Sequence, residues 1–265
     1  MTGLATRLSA AEDAARDAGA ALVAHYGNRG RLAVEQKGLN DFVSNADREA
    51  EEIILARLRT AFGDDAFLGE ETGVSGNPAS GRIWCIDPLD GTTNFLKGAH
   101  NWCVSIGLWS AGRPVLGALY DPLRDEMFLA AEGGGATLNG APIAVSDTAS
   151  LDRSSLGFGH NQRISVDDFT ADAHRMLSTG AGFRQVGAGA LMLAYVAAGR
   201  VDGYFERHMW PWDAVAGLAL IRAAGGVTSV YPPDGRDVAR GAMVLASGPE
   251  LFAPLQACIG VERLL

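Results

Sequence analysis

Basic residues are in short supply: 22 Lys and Arg stand against 31 Asp and Glu, for a formal net charge of −9. No Lys/Arg-rich run supplies the positive footprint of a nucleic-acid binder, so no nucleic acid polymer is expected as a partner. The deficit leaves small anionic ligands open, because bound divalent cations reverse a local negative field. Cysteine is scarce too. Cys85, Cys103 and Cys258 form neither a paired framework nor a close zinc-ligand spacing, which points to a reducing interior. The histidines His100, His160, His174 and His208 lack a compact zinc pattern as well, and packing or surface roles are expected for them. Repeats and low-complexity blocks are missing. So is an apolar span of about 18 residues, and the first residues lack the apolar stretch of a signal peptide. A cytoplasmic protein with no membrane partner is the expectation.

What is present suits a globular enzyme. A chain of 265 residues with 48% hydrophobic content buries a large core. Apolar periodicity predicts helices over 4–26 and 47–62, the second capped by Asn45 or Asp47. Strands are predicted at 66–68, 82–86 (stopped by Pro88), 102–109, 114–120 and 126–131, with a tight turn at 133–135. Beyond a polar stretch at 146–155, strands at 155–159, 183–186, 201–205 and 227–230 alternate with helices at 166–178, 188–198 and 213–224. The expected fold class is a layered α+β and α/β sandwich of alternating helix and sheet layers. Two lobes are expected: 1–145, carrying the main acidic loops, and 146–265, completing the site.

Those loops hold the chemistry. Trp84-Cys-Ile-Asp-Pro-Leu-Asp-Gly-Thr-Thr-Asn-Phe95 places Asp87 and Asp90 three residues apart around Pro88 and Leu89, followed by Gly91 and Thr92. Gly69-Glu-Glu-Thr72 adds Glu70 and Glu71, of which alternating directions aim one inward; Trp210-Pro-Trp-Asp213 adds Asp213 at a helix start. Converging carboxylates are costly unless a cation neutralises them, and hard oxygen donors favour Mg²⁺ or Mn²⁺, whose partner is usually a phosphate. Asp213 and Asp47 also read as helix-start residues, and Asp87/Asp90 alone as a solvated acidic turn. Trp210 and Trp212 read either as cleft walls or as core.

Taken together, Lys37 with Asn45-Ala-Asp47, Gly69-Glu-Glu-Thr72, Asp87-Pro-Leu-Asp-Gly-Thr-Thr-Asn-Phe95, Trp212-Asp-Ala-Val-Ala-Gly217 and Ala224-Gly-Gly226 resemble the lithium-sensitive, Mg²⁺-dependent inositol monophosphatase family. The resemblance implies a layered phosphatase fold, a homodimer, and two to three Mg²⁺ ions per active site, with Mn²⁺ a substitute. It implies Glu70, Asp87, the Leu89 carbonyl, Asp90, Thr92 and Asp213 as metal-site residues, and Glu70, Thr92, Asp47 and Lys37 as the catalytic set. In that scheme Asp47 supports the Thr92 hydroxyl, and Thr92 with Glu70 positions and activates the attacking water. Asp90, Gly91, Thr92, Gly187, Ala188, Gly189, Glu206 and Asp213 correspond to substrate-binding positions. Ala188 departs from the hydroxyl-bearing residue frequent there, which weakens the match to inositol phosphate more than the match to a phosphatase.

The expected substrate is a small phosphorylated polyol or metabolite, myo-inositol monophosphate first. Histidinol phosphate, fructose 1,6-bisphosphate and 3′-phosphoadenosine 5′-phosphate remain alternatives within the same superfamily. A catalytically weak phosphate- or metal-binding regulator is the alternative of a different class.

Overall fold

The computed structural model describes residues 2–38, 41–161, 163–232 and 237–260. Helix α1 (Thr2–Tyr26) forms where alanine dominates, and Ala11, Ala14, Ala15, Ala18 and Leu22 on one face are fully buried. A hairpin of β1 (Val34–Gly38) and β2 (Asp41–Ser44) follows, which no periodicity in the sequence announces. Helix α2 (Asn45–Phe62) packs Ala46, Ala50, Ile54 and Leu58 inward, toward α1. Its cap is Ser44, rather than Asn45 or Asp47. The Ser44 hydroxyl accepts from the Ala46 N–H, while Asp47, in the first turn, accepts from the Ser44 N–H at 2.9 Å. The reciprocal bonds satisfy helix-end donors that have no partner within the helix.

The next strands are β3 (Ala66–Gly69), β4 (Gly73–Gly76) and β5 (Arg82–Asp90). After the short helix α3 (Thr92–Lys97) come β6 (Cys103–Ser110), β7 (Arg113–Asp121), β8 (Glu126–Ala131), β9 (Gly135–Leu138) and β10 (Ala141–Pro142). They form one sheet in the order β10-β9-β8-β7-β6-β5-β3-β4, antiparallel except between β3 and β5. Side chains alternate across it. Trp84, Ile86, Val104, Ile106, Leu116 and Ala118 share a core with α1 and α2, and Cys85, Cys103 and Leu119 belong to a core on the opposite face.

The second sheet comprises β11 (Ser155–Phe158), then, after α4 (Val166–Leu177), β12 (Gly182–Arg184). Helix α5 (Gly189–Ala197), β13 (Gly203–Met209), α6 (Pro211–Ala223), β14 (Val227–Thr228), β15 (Ala242–Ser247) and α7 (Pro249–Ile259) complete the chain. Its order is β12-β11-β13-β15-β14. Helices α5 and α6, with Leu193, Leu218 and Leu220 buried, fill the layer between the sheets, and Met176 of α4 and Leu251 and Leu255 of α7 cover the far side. The layers therefore alternate: helices, sheet, helices, sheet, helices. No helix among the described residues is long and apolar enough to cross a membrane.

Glycine sets the distance between α6 and the large sheet. A Cβ on Gly107 would lie 2.7 Å from the Ala216 nitrogen, and one on Gly117 would lie 2.2 Å from the Ala216 carbonyl oxygen. Backbone cannot yield as a flexible side chain can. Gly117→Ala is expected to cost at least about 1–3 kcal/mol in urea unfolding. Gly30→Ala, with open space around the added methyl, should stay within about 0.5 kcal/mol of the parent.

Candidate active site

The site begins with an irregularity in β5. The strand does not stop at Pro88 but runs to Asp90, and its register against β6 slips between Asp87, opposite Ser105, and Asp90, opposite Cys103. Three positions on β5 span two on β6. Residues an odd number apart on a regular strand point to opposite faces; the extra residue cancels that, and both aspartates come to the face that α5 and α6 cover. Pro88, which has no N–H for a ladder, fits the bulge. Asp87 Oδ1 accepts from the Leu89 N–H at 2.8 Å. Gly91 then turns with φ 95°, and a Cβ there would lie 2.8 Å from the Asn101 carbonyl oxygen.

Thr92 opens α3. Its hydroxyl lies 3.1 Å from both Asp47 Oδ1 and the Leu89 carbonyl oxygen, and its single proton serves one at a time. Asp47, 1% exposed, also accepts from the Ser44 hydroxyl at 2.6 Å. Asp90 occupies the start of α5, where the Gly189 and Leu191 N–H groups each donate to it at 3.2 Å. A carboxylate there completes a helix end with no capping side chain of its own. Asp213 lies in the first turn of α6, whose N-cap Trp210 likewise makes no side-chain cap. Oxygens of Asp87, Asp90 and Asp213 all lie within 4.8 Å of one another.

Of the two glutamates after β3, Glu70 lines the cavity beside these aspartates. Glu71 belongs to the turn, its N–H donating at 2.8 Å to Glu51 Oε2. Glu51 is fully buried and also accepts from the Thr72 N–H at 3.0 Å and from the Thr72 hydroxyl. It fixes the loop that presents Glu70, and Gly69 leaves room for it: a Cβ there would fall 2.4 Å from Glu51 Oε1. The sequence reading misses Glu51. The signal is its place one turn after Asp47 on the buried side of α2, where a charge is costly without a purpose.

Burial and mutual repulsion dominate the electrostatics. Desolvation, then Glu70, Asp213 and Asp90, push Asp87 well above the usual carboxylate range. Desolvation, Asp90 and Glu70 do the same to Asp213. Asp90 is raised by burial to about 6, although the N–H groups of α5 pull it down. Asp47 is raised by burial against its hydrogen bonds. Clustered carboxylates with hard oxygen atoms and the Leu89 carbonyl beside them are a donor set for a divalent cation, which would offset that repulsion.

These groups line a cavity of about 480 Å³, bounded by Glu70, Asp87, Leu89, Asp90, Gly91, Thr92, Gly187, Trp212 and Asp213 among others. Asp47 stands behind it, bonded to Thr92. The side chain of Lys37 lies outside the described residues. An adjoining cavity of about 230 Å³ is lined by Gly187, Ala188, Gly189, Glu206, Asp90 and Asp213. Glu206 lies within β13, 8% exposed; Tyr204 donates to its Oε2 at 2.6 Å and Asn161 to its Oε1 at 3.1 Å, and burial raises it to about 7. Every other site residue named from the sequence borders one of the two cavities. His160, for which a packing or surface role is expected, packs edge-on against Phe169 and also lines both. Asn161 and Arg163 are further lining residues that carry no sequence signal. Trp212 both walls the larger cavity and packs against the core.

The inositol monophosphatase family model matches residues 4–259. The inositol-1-monophosphatase of Synechocystis sp. is 41% identical over 248 residues, covering 92% of this chain and 86% of that protein. The Nus factor SuhB of Escherichia coli is 40% identical over 226 residues, covering 84% and 85%. In the crystal structure of the extragenic suppressor protein suhB from Bartonella henselae, 36% identical, the TM-score is 0.90 with 96% of this chain and 98% of that one covered. The inositol monophosphatase structure from Anabaena (Nostoc) gives a TM-score of 0.85 at 38% identity, over 97% and 96%. With this fold, this acidic cavity and relatives matched over most of its length, the chain belongs to the inositol monophosphatase family.

Proposed function

We propose that the chain hydrolyses small phosphate monoesters with Mg²⁺, myo-inositol monophosphate being the first substrate to test, and, on the family resemblance, that it acts as a cytoplasmic homodimer. The observation that carries the hydrolytic reading is the convergence of Asp87, Asp90 and Asp213, with oxygens within 4.8 Å of one another, on a cavity that Thr92 and Glu70 also line. Those three aspartates, with Glu70 and the Leu89 carbonyl, would hold the cation. When bound, Mg²⁺ supplies Lewis-acid polarisation of phosphoryl oxygens and neutralises the charge that builds up during hydrolysis.

The remaining work falls to the chain's own groups. Thr92 donates its proton to Asp47, which turns the lone pairs of Thr92 Oγ1 toward the cavity to accept from the attacking water. The Glu70 carboxylate takes the proton that water loses, while the bond from phosphorus to the leaving oxygen breaks and that oxygen gains a proton from solvent. Direct attack of water on phosphorus needs no phosphoenzyme, in keeping with Cys85 and Cys103, whose thiols burial raises far from reactivity. Glu206 keeps lone pairs beyond those used by Tyr204 and Asn161, and they suit vicinal hydroxyls of the leaving group.

Phosphate release is expected to vanish on chelation and to return with Mg²⁺; turnover that survives thorough chelation would sink the reading. Asp90→Asn should lower kcat by at least about 10²-fold with the circular dichroism spectrum retained.

Stability offers a second test. Folding raises the Asp90 carboxyl to about 6, so the folded chain binds this proton more tightly than the unfolded one. Cation-free protein then loses stability as pH climbs from about 4 through 6. Mg²⁺ competes with protons for these carboxylates, and the rise in Tm that it produces should be larger near about pH 8 than near about pH 5. An equal rise at both would place the cation elsewhere.

Glu206→Gln should reduce kcat/KM for inositol monophosphate more than for an aryl phosphate without ring hydroxyls, by a difference equivalent to roughly 1–3 kcal/mol. Equal losses on the two would assign Glu206 to the scaffold.

A further inference from the structure

The wall of the larger cavity carries a cation that the hydrolytic scheme leaves idle. Arg163 is the one Lys or Arg among the described residues that line it. Its guanidinium lies over the Trp210 ring, 4.2 Å from the centroid. Trp210 stacks on Trp212 at 5.1 Å with the planes 24° apart, and His208 meets Trp210 edge-on at 4.8 Å. The guanidinium thus rests on a fixed aromatic shelf. Stacking uses the face of a guanidinium and leaves its in-plane N–H donors available for bidentate binding of an oxyanion. Among the described residues, Arg163 has no carboxylate partner to occupy them.

The backbone beneath is held as well. Asn161 Oδ1 accepts from the Arg163 N–H at 3.0 Å, and the Ile164 N–H donates to the Asn161 carbonyl at 3.2 Å. The Asn161 amide also donates to Glu206 Oε1 at 3.1 Å and to the His208 carbonyl. One side chain therefore ties the loop that presents Arg163 to the carboxylate suited to substrate hydroxyls. A polyol phosphate whose only charged group is the scissile phosphate has hydroxyls for Glu206 but no second anion for Arg163.

We propose that Arg163 is a specificity-determining residue, stacked on Trp210 so that it docks a second anionic group, a carboxylate or a second phosphate, carried by the leaving group of the phosphate monoester. The proposal rests on the phosphomonoesterase reading of the same cavity. It names a substrate class, phosphorylated polyols or hydroxy acids bearing an additional negative charge, within which a plain inositol monophosphate is an incomplete fit.

The test compares matched substrates by initial rates of inorganic phosphate release. 2-Phosphoglycerate differs from glycerol 2-phosphate by a carboxylate in place of a hydroxymethyl group; fructose 1,6-bisphosphate differs from fructose 1-phosphate by a second phosphate. The unmodified enzyme is expected to favour the anionic member of at least one pair, and the pair identifies which anion is docked. Arg163→Ala should collapse that ratio of kcat/KM values by about tenfold or more, through KM rather than kcat, and Arg163→Lys should retain part of it. No preference in either pair, or a ratio that Arg163→Ala leaves unaltered, overturns the proposal. Should neither these four substrates nor myo-inositol monophosphate release phosphate with Mg²⁺, the phosphomonoesterase reading falls, and docking is then judged by itself. Titration of 2-phosphoglycerate or fructose 1,6-bisphosphate against tryptophan fluorescence would show a saturable change lost in Arg163→Ala, and the absence of such a change would overturn the docking site too.

Discussion

Repulsion among carboxylates is the constraint to which the rest of the molecule answers. Asp87, Asp90 and Asp213 would separate if their backbones were free to move, since burial raises each of them above its usual range and mutual charge raises Asp87 and Asp213 further. They stay together because each is mounted on an element packed from both sides. Asp87 and Asp90 sit on a strand sandwiched between helix layers, and Asp213 on a helix sandwiched between sheets. Close approach of α6 to Gly107 and Gly117 holds that helix against the strands. The layered core is thus less a container for the site than the clamp that keeps unfavourable neighbours in place.

Relief is local as well. The N–H groups that open α5 point at Asp90, so a helix end with no capping side chain and a carboxylate with too few partners satisfy each other. The same economy governs Asp47, which closes the capping box of α2 and supports Thr92 with its other oxygen. Glu51 settles the turn after Glu70 by gathering two backbone donors and a hydroxyl. In each case a charge is held by donors that the backbone would otherwise leave without partners.

Much of this is legible from residues alone. The alanine face of α1, the apolar stripe of α2 and the strands from Trp84 to Ala131 follow from periodicity, and Glu70, Asp87, Leu89, Asp90, Gly91, Thr92 and Asp213 stand in short segments that the cavity brings together. What escapes the sequence has physical reasons. Strand β15 is buried along nearly its whole length and shows no alternation, and α7 carries Pro254 inside, which reads as a breaker. Hairpin β1–β2 is short, and the described side chains of β1 are exposed, so it has no stripe to detect. Glu51 looks like one more acid in Glu51-Glu52 until α2 is rotated to show which of them faces inward. Asn161 and Arg163 lie in an irregular loop, where only tertiary contacts assign a direction.

The bulge between Asp87 and Asp90 carries a consequence of another kind. Which face an acid occupies is set there by parity, by how many residues separate it from its neighbour. Were β5 to keep this three-residue spacing but run on as a regular ladder, without the bulge, one carboxylate would pass into the apolar layer beneath α1 and α2. The site is therefore written in a count as much as in an alphabet. The bulge is a phase shift of one residue between the strand and its side chains, and the second aspartate depends on that shift as much as on its own carboxyl group.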